Sequence, residues 1–135
     1  MSGAVVRIFV SPSGGAPMQA VEEIEAIAGR GLRGDRYSQR SGYWTAVDDE
    51  CEVTLMEWEC LEEIRVKTGV SVENGEHRRN IITRGIRLDS LLGKRFKVGA
   101  AIFEYDRPRP PCGYIESLTE PGMTRALVGR GGICA

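Results

Sequence analysis

One cysteine stands inside a stiffened run near the end of the chain, Arg107-Pro108-Arg109-Pro110-Pro111-Cys112-Gly113. Proline fixes φ and biases the residue before it towards extended backbone, so this run is expected to deliver the Cys112 thiol at a set position. Gly113 then lets the chain turn away, or lets a ligand approach closely. Arg107 and Arg109 favour thiolate over thiol wherever either lies near the sulfur. Thiolate is the form that ligates soft metals and attacks persulfides. A buried, inert cysteine behind a proline-rich strand end fits the same residues equally well.

A second cluster is His77-Arg78-Arg79-Asn80-Ile81-Ile82-Thr83-Arg84-Gly85. Adjacent residues of a strand face opposite ways, so one of Arg78 and Arg79 is expected inside and the other in solvent. An inward guanidinium needs an anion, and its planar fork suits phosphate or carboxylate. An internal salt bridge satisfies the same need, for Arg78 above all. A third cluster, Gly31-Leu32-Arg33-Gly34-Asp35-Arg36-Tyr37, brackets charges with glycines. Such a loop can offer backbone N–H groups to an anion, but the phosphate-loop and dinucleotide patterns are both absent. A structural Asp35–Arg36 clamp is the better-supported reading there. His77 reads as a surface or strand-end residue, since no second histidine exists to share a metal.

The other cysteines are Cys51, Cys60 and Cys134. No two of the four are spaced as in zinc ribbons or dithiol redox motifs. Cys51 and Cys60 read as small core residues, and Cys134, one residue from the end, as part of a fraying terminus. With no secretory signal, free thiols are expected.

These groups need elements to hold them. Ala4–Ser11 is β-branched and aromatic and ends in a Ser/Pro/Gly turn, which predicts a strand. Gln19–Gly29 has the spacing of a short helix on pattern alone. Cys51–Met56 predicts a buried strand. Glu57–Gly69 predicts an amphipathic helix with Trp58, Leu61, Ile64 and Arg65 on one face and Gly69 at its end. Arg78–Ile86 predicts a strand entering a glycine turn, and Arg87–Gly93 a single helical turn. Lys94–Pro108 predicts a hairpin about Gly99, and Thr119–Gly129 a helix with proline in its first turn. Many short strands between Gly/Pro turns, with two or three short helices, suggest one mostly β, barrel-like domain.

Composition narrows the partners. With 18 Lys+Arg against 19 Asp+Glu, the net charge is −1, which argues against broad attraction to nucleic acid or an anionic membrane. No apolar run approaches a membrane span, and Arg7 interrupts the N-terminal apolar stretch, so no signal peptide is expected and the cytoplasm is the default.

Taken in order, "GLRGDRY", "RRNIITRGIRLDSLLGKRFKVGAAIFE" and the cysteine of "RPRPPCGYIE" resemble the MOSC domain, the C-terminal module of molybdenum-cofactor sulfurases that also occurs in stand-alone proteins. "EVTLM" takes the place of the family's valine-rich strand, and the resemblance covers most of Val5 to Ala135. It implies a mostly β, MOSC-type β-barrel with a few short helices over residues 1–135. It also turns Gln19–Gly29 from helix to extended chain. In molybdenum-binding relatives, including mitochondrial amidoxime-reducing enzymes, the late cysteine ligates the metal of the pterin cofactor. In sulfur-carrier readings the same cysteine accepts a persulfide.

Carried over, Cys112 is the candidate metal ligand or catalytic sulfur acceptor. Arg79, Asn80 and, less directly, Arg36 are the candidates to hold the phosphate of molybdenum cofactor (molybdopterin). The resemblance further implies a cysteine desulfurase or an electron-donor protein as partner, because this chain contains no pyridoxal phosphate site, flavin signature or haem signature of its own. The chain stops at "GRGGICA", where many relatives continue through a final strand; a short member or a shortened chain is expected. Three functions stay open: cofactor binding or persulfide carriage, a molybdenum-dependent reductase of N-hydroxylated compounds, and a non-catalytic binding partner of a larger enzyme.

Overall fold

The computed structural model describes residues 3–37, 52–70, 72, 75–91, 93–108, 118–119, 122–127 and 132–135. Its centre is a six-stranded mixed sheet in the order β2-β1-β6-β5-β10-β9. The strands are β1 (Ala4–Val10), β2 (Gln19–Val21), β5 (Thr54–Glu57), β6 (Ile81–Arg84), β9 (Arg107–Pro108) and β10 (Ile133–Cys134). Among the described residues β3 (Ala26–Ile27) pairs only with β4 (Gly31–Leu32), and β7 (Arg95–Val98) only with β8 (Ala101–Glu104).

β5 and β6 run parallel, in register Leu55↔Ile81 and Met56↔Ile82. Parallel neighbours cannot be joined by a tight turn, and the helix α1 (Trp58–Thr68) occupies the crossover. Side chains alternate along each strand, so the paired residues Met56 and Ile82 share one face and Leu55 and Ile81 share the other. Phe9, Met56 and Ile82 pack with Ile64 of α1 and with Met123, Ala126 and Leu127 of the short helix α2 (Met123–Leu127). Val10, Leu55, Ile81 and Ile133 pack on the other face with Leu32, Leu88 and Tyr105, and Phe96, Val98 and Phe103 of the β7–β8 hairpin close over them. With both faces covered, the central strands read as continuous apolar runs rather than alternating ones.

The ends of α1 follow from its sequence. Gly69 takes the left-handed conformation at φ 72° and its N–H returns to the Arg65 carbonyl. Glu57, at the N-cap, makes no capping bond. Its carboxylate instead accepts the Leu88 N–H at 3.2 Å and approaches Arg87 Nε at 3.5 Å, which ties the helix start to the 3-10 turn Leu88–Leu91. Among the described residues no helix is long and apolar enough to cross a membrane.

Several expectations need correction. The sheet does not close into a barrel among the described residues, because β3–β4 and β7–β8 pair only within themselves and β2 and β9 are left as edges. Trp58 is 40% exposed and so does not share the buried face of Ile64. Residues 77–80 are not strand: His77 ends a turn and Arg78 sits at φ 61°, so the two arginines do not alternate and both are buried. His77 is fully buried, not superficial. Cys134 is buried in β10 and paired to both β5 and β9, so this end of the chain does not fray; it is also disulfide-bonded rather than free. Gln19–Gly29 is extended, as β2 and β3, in agreement with the family resemblance and not with its helical spacing.

Gly132 tests the packing of β10. Its φ is +84°, and a methyl group added there would collide with the Leu55 carbonyl oxygen. Gly69, at φ +72°, has nothing within 4 Å of such a methyl. Gly69→Ala is expected to cost about 1–2 kcal/mol for the left-handed backbone alone. Gly132→Ala is expected to cost about 3 kcal/mol or more, because strand pairing must shift as well. Urea unfolding of the two variants checks the difference.

Candidate functional site

At the end of β1, three segments meet in a buried polar cluster: Ser11, the loop after β4 at Asp35–Tyr37, and the turn before β6 at Gly75–Asn80. Asp35 is fully buried, and burying a carboxylate is costly unless it is paired and bonded. Its Oδ1 accepts the Ser11 N–H at 3.0 Å, an Arg36 Nη1 N–H at 3.1 Å and an Asn80 Nδ2 N–H at 3.3 Å. Its Oδ2 faces the Tyr37 N–H at 3.4 Å. The Asp35–Arg36 clamp expected from the glycine-bracketed loop is present as a buried ion pair.

Asn80 links this loop to the sheet. Its Nδ2 also donates to the Phe9 carbonyl at 3.0 Å, while its Oδ1 accepts from the backbone N–H and the hydroxyl of Thr54, at 3.0 and 3.2 Å. An amide offers two donors and two lone pairs. All four are directed into the protein, joining β1, β5 and the Asp35 loop.

The arginines are held against this frame. Arg36 stacks over the Tyr37 ring at 4.7 Å and donates from Nη2 to the Arg78 carbonyl at 3.3 Å. The Arg78 guanidinium donates to the Ala16 carbonyl at 2.7 Å, and that of Arg79 to the His77 carbonyl at 3.2 Å. The turn that brings them in depends on Gly75 at φ +90°, where a Cβ would stand 2.7 Å from Met18 Cβ and 3.1 Å from Phe9 Cδ1. The Arg78 N–H closes the turn on the Gly75 carbonyl. A non-glycine residue at positive φ is costly and persists where its surroundings over-determine it.

His77 lies in the same cluster, with its ring edge-on to Phe9 at 5.2 Å. Its Nδ1 accepts the Arg79 N–H at 2.9 Å, which places the proton of the neutral ring on Nε2. That Nε2–H has no acceptor among the described residues. Burial first, then the charges of Arg79 and Arg7, push the imidazole down to about 3.

Of the residues singled out from sequence, Arg36 and Asn80 are joined by Asp35, and Arg79 lies in the adjoining turn, bonded to His77. Cys112 and Cys51 lie outside the described residues. Cys60 is half-buried and packed against the core, as expected of a small core residue. No group of three His, Cys, Asp or Glu among the described residues could hold a metal ion. Sequence reasoning missed His77 and the Ser11 and Thr54 contacts. For His77 the available signal was its place between Gly75 and two arginines, a turn followed by charge; Ser11 and Thr54 carry no local signal, because they act through partners 24 and 26 residues away.

The buried histidine has a consequence for stability. A folded-state value near 3 against about 6.5 in the unfolded chain means the unfolded state binds the extra proton between those limits. The stabilisation is complete above about pH 6.5 and is lost as pH falls towards 3. Between pH 7.5 and 5.0 the loss is expected to be about 2 kcal/mol. His77→Asn keeps an acceptor for the Arg79 N–H but does not titrate, and urea unfolding at the two pH values is expected to show that share of the loss removed.

The family model "MOSC domain" matches residues 42–132. No curated protein matches the chain. Among solved structures, the YuaD protein from Bacillus subtilis is similar with a TM-score of 0.78 at 17% identity, over 99% of this chain and 86% of that one. A second, described as a hypothetical protein, has a TM-score of 0.68 at 17% identity, over 99% of this chain and 59% of that one, so the chain spans under two thirds of its length. At such identities the likeness concerns the fold alone. On the family match, this chain belongs to the MOSC-domain family.

Proposed function

We propose that this MOSC-domain protein binds molybdenum cofactor, with the buried arginine cluster facing the cofactor's phosphate and Cys112 as the thiolate ligand of the metal. The observation that carries the reading is the unmatched His77 Nε2–H inside a cluster that also holds Arg36, Arg78 and Arg79. That N–H calls for an acceptor, and the guanidinium groups beside it favour an anionic one such as phosphate. The described residues therefore fit the anionic end of the cofactor. When bound, the cofactor supplies a redox-active metal with sulfur ligands.

In this reading the protein's own residues divide the work. Arg79 and Arg36 supply positive charge. Asp35, itself bonded to Asn80, holds Arg36 in place, and the His77 carbonyl receives the Arg79 guanidinium. His77 adds an uncharged donor, because its low proton affinity keeps it neutral at physiological pH. The cysteine chemistry is the same thiolate chemistry that would serve sulfur carriage.

Elemental analysis and intact mass of the native protein, purified under reducing conditions, test the reading. Molybdenum and pterin are expected in the wild type, absent from Cys112→Ser for the metal, and reduced about tenfold or more in Arg79→Gln, as befits a lost charged hydrogen bond. A one-sulfur mass increment on Cys112 after exposure to a cysteine desulfurase, with no metal bound, would replace cofactor binding by sulfur carriage. If neither metal, pterin nor sulfur adduct is found and Cys112→Ser behaves as wild type, the protein is a non-catalytic partner.

A further inference from the structure

A separate cavity of about 120 Å³ opens on the α1 side of the sheet. Its floor is apolar, made by Phe9, Leu61, Val72 and Ile82, all members of the core on this side or packed against it. Arg7 and Trp58 stand at its mouth together with the Glu62–Arg65 pair of α1. An engineered apolar cavity of about 150 Å³ accepts benzene, so this volume suits a small organic guest.

The charges at the mouth are not balanced. Arg65 is matched by Glu62, at 2.7 Å. Arg7 has its guanidinium 5.1 Å above the Phe9 ring, and no carboxylate among the described residues pairs with it. Its position comes from a register shift in β1 between Val5 and Arg7, the kind of irregularity that re-aims a side chain. A cation over an aromatic floor, beside an apolar hole and an exposed tryptophan, matches one ligand chemistry: a short acyl tail ending in a carboxylate.

We infer that this cavity binds small aliphatic monocarboxylates of about four or five carbons, with the tail on Phe9, Leu61, Val72 and Ile82 and the carboxylate on Arg7. The site is distinct from the proposed cofactor cluster, though Phe9 lies between them, touching Arg7 on one side and His77 on another. Trp58 supplies an internal reporter.

Amide-resolved NMR titration of the full chain with pentanoate, pentanol and pentylammonium tests the inference. Pentanoate is expected to bind in the low-millimolar range, shifting the amides of Val6, Phe9, Leu61 and Val72, with pentanol about tenfold weaker and pentylammonium silent. Arg7→Gln, a change at an exposed position, is expected to weaken pentanoate about tenfold while leaving pentanol unchanged. Equal binding of pentanoate and pentanol, an unaffected Arg7→Gln, or no shift at these amides would each overturn the proposal. Because neither the ligand nor the variant involves Cys112 or Arg79, these results stand or fall independently of cofactor binding.

Discussion

The structure around the candidate site depends on a buried carboxylate and a buried amide that satisfy each other. Asp35 and Asn80 are both almost wholly removed from water, and the hydrogen bond between them joins a loop to a sheet. Burying Asp35 alone would cost several kcal/mol. The cost is offset because its oxygens receive N–H groups from Ser11, Tyr37, Asn80 and the charged Arg36. Asn80 in turn closes the gap between β1 and β5 at a point where the strand ladder has not yet begun. Removing either member strands several donors and acceptors at once, which is the costly way to lose a polar interaction.

This junction explains how a small domain keeps three guanidinium groups inside. Arg36 is fixed by Asp35, by the Tyr37 ring and by the Arg78 carbonyl. Arg78 and Arg79 are carried inward by a glycine turn that only residues with freedom at positive φ can begin. The neutral histidine follows from the same arrangement: beside that much positive charge and away from water, an imidazolium is disfavoured. The His77 N–H, without an acceptor among the described residues, is the feature on which the proposed anion binding rests.

Much of the frame was legible in the chain. The strands expected over Cys51–Met56 and Arg78–Ile86 overlap β5 and β6, Gly69 announced the end of α1, and Gly99 the β7–β8 hairpin. The ordered motifs pointed to the family, and the family match agrees. Less legible was everything that depends on distant partners. Gln19–Gly29 has helical spacing, yet Ala20 and Val21 pair with β1 and Arg33 N–H bonds to the Glu25 carbonyl, so tertiary pairing overrode the local pattern. Arg78 and Arg79 looked like neighbours on a strand; the turn from Gly75 turns both inward. A barrel was implied by many short strands, but short strands close a barrel only if each finds two partners, and among the described residues the strands of β3–β4 and β7–β8 find one apiece.

A double-mutant cycle between Asp35 and Asn80 addresses the junction most directly. Asp35→Ala, Asn80→Ala and the double variant are compared by urea unfolding. The structure predicts strong non-additivity, a coupling of about 1–3 kcal/mol, because each single change leaves the other partner buried without its bond. Additivity within about 0.5 kcal/mol would contradict the account, since it would mean the two side chains act independently and the arginine cluster is held by other contacts.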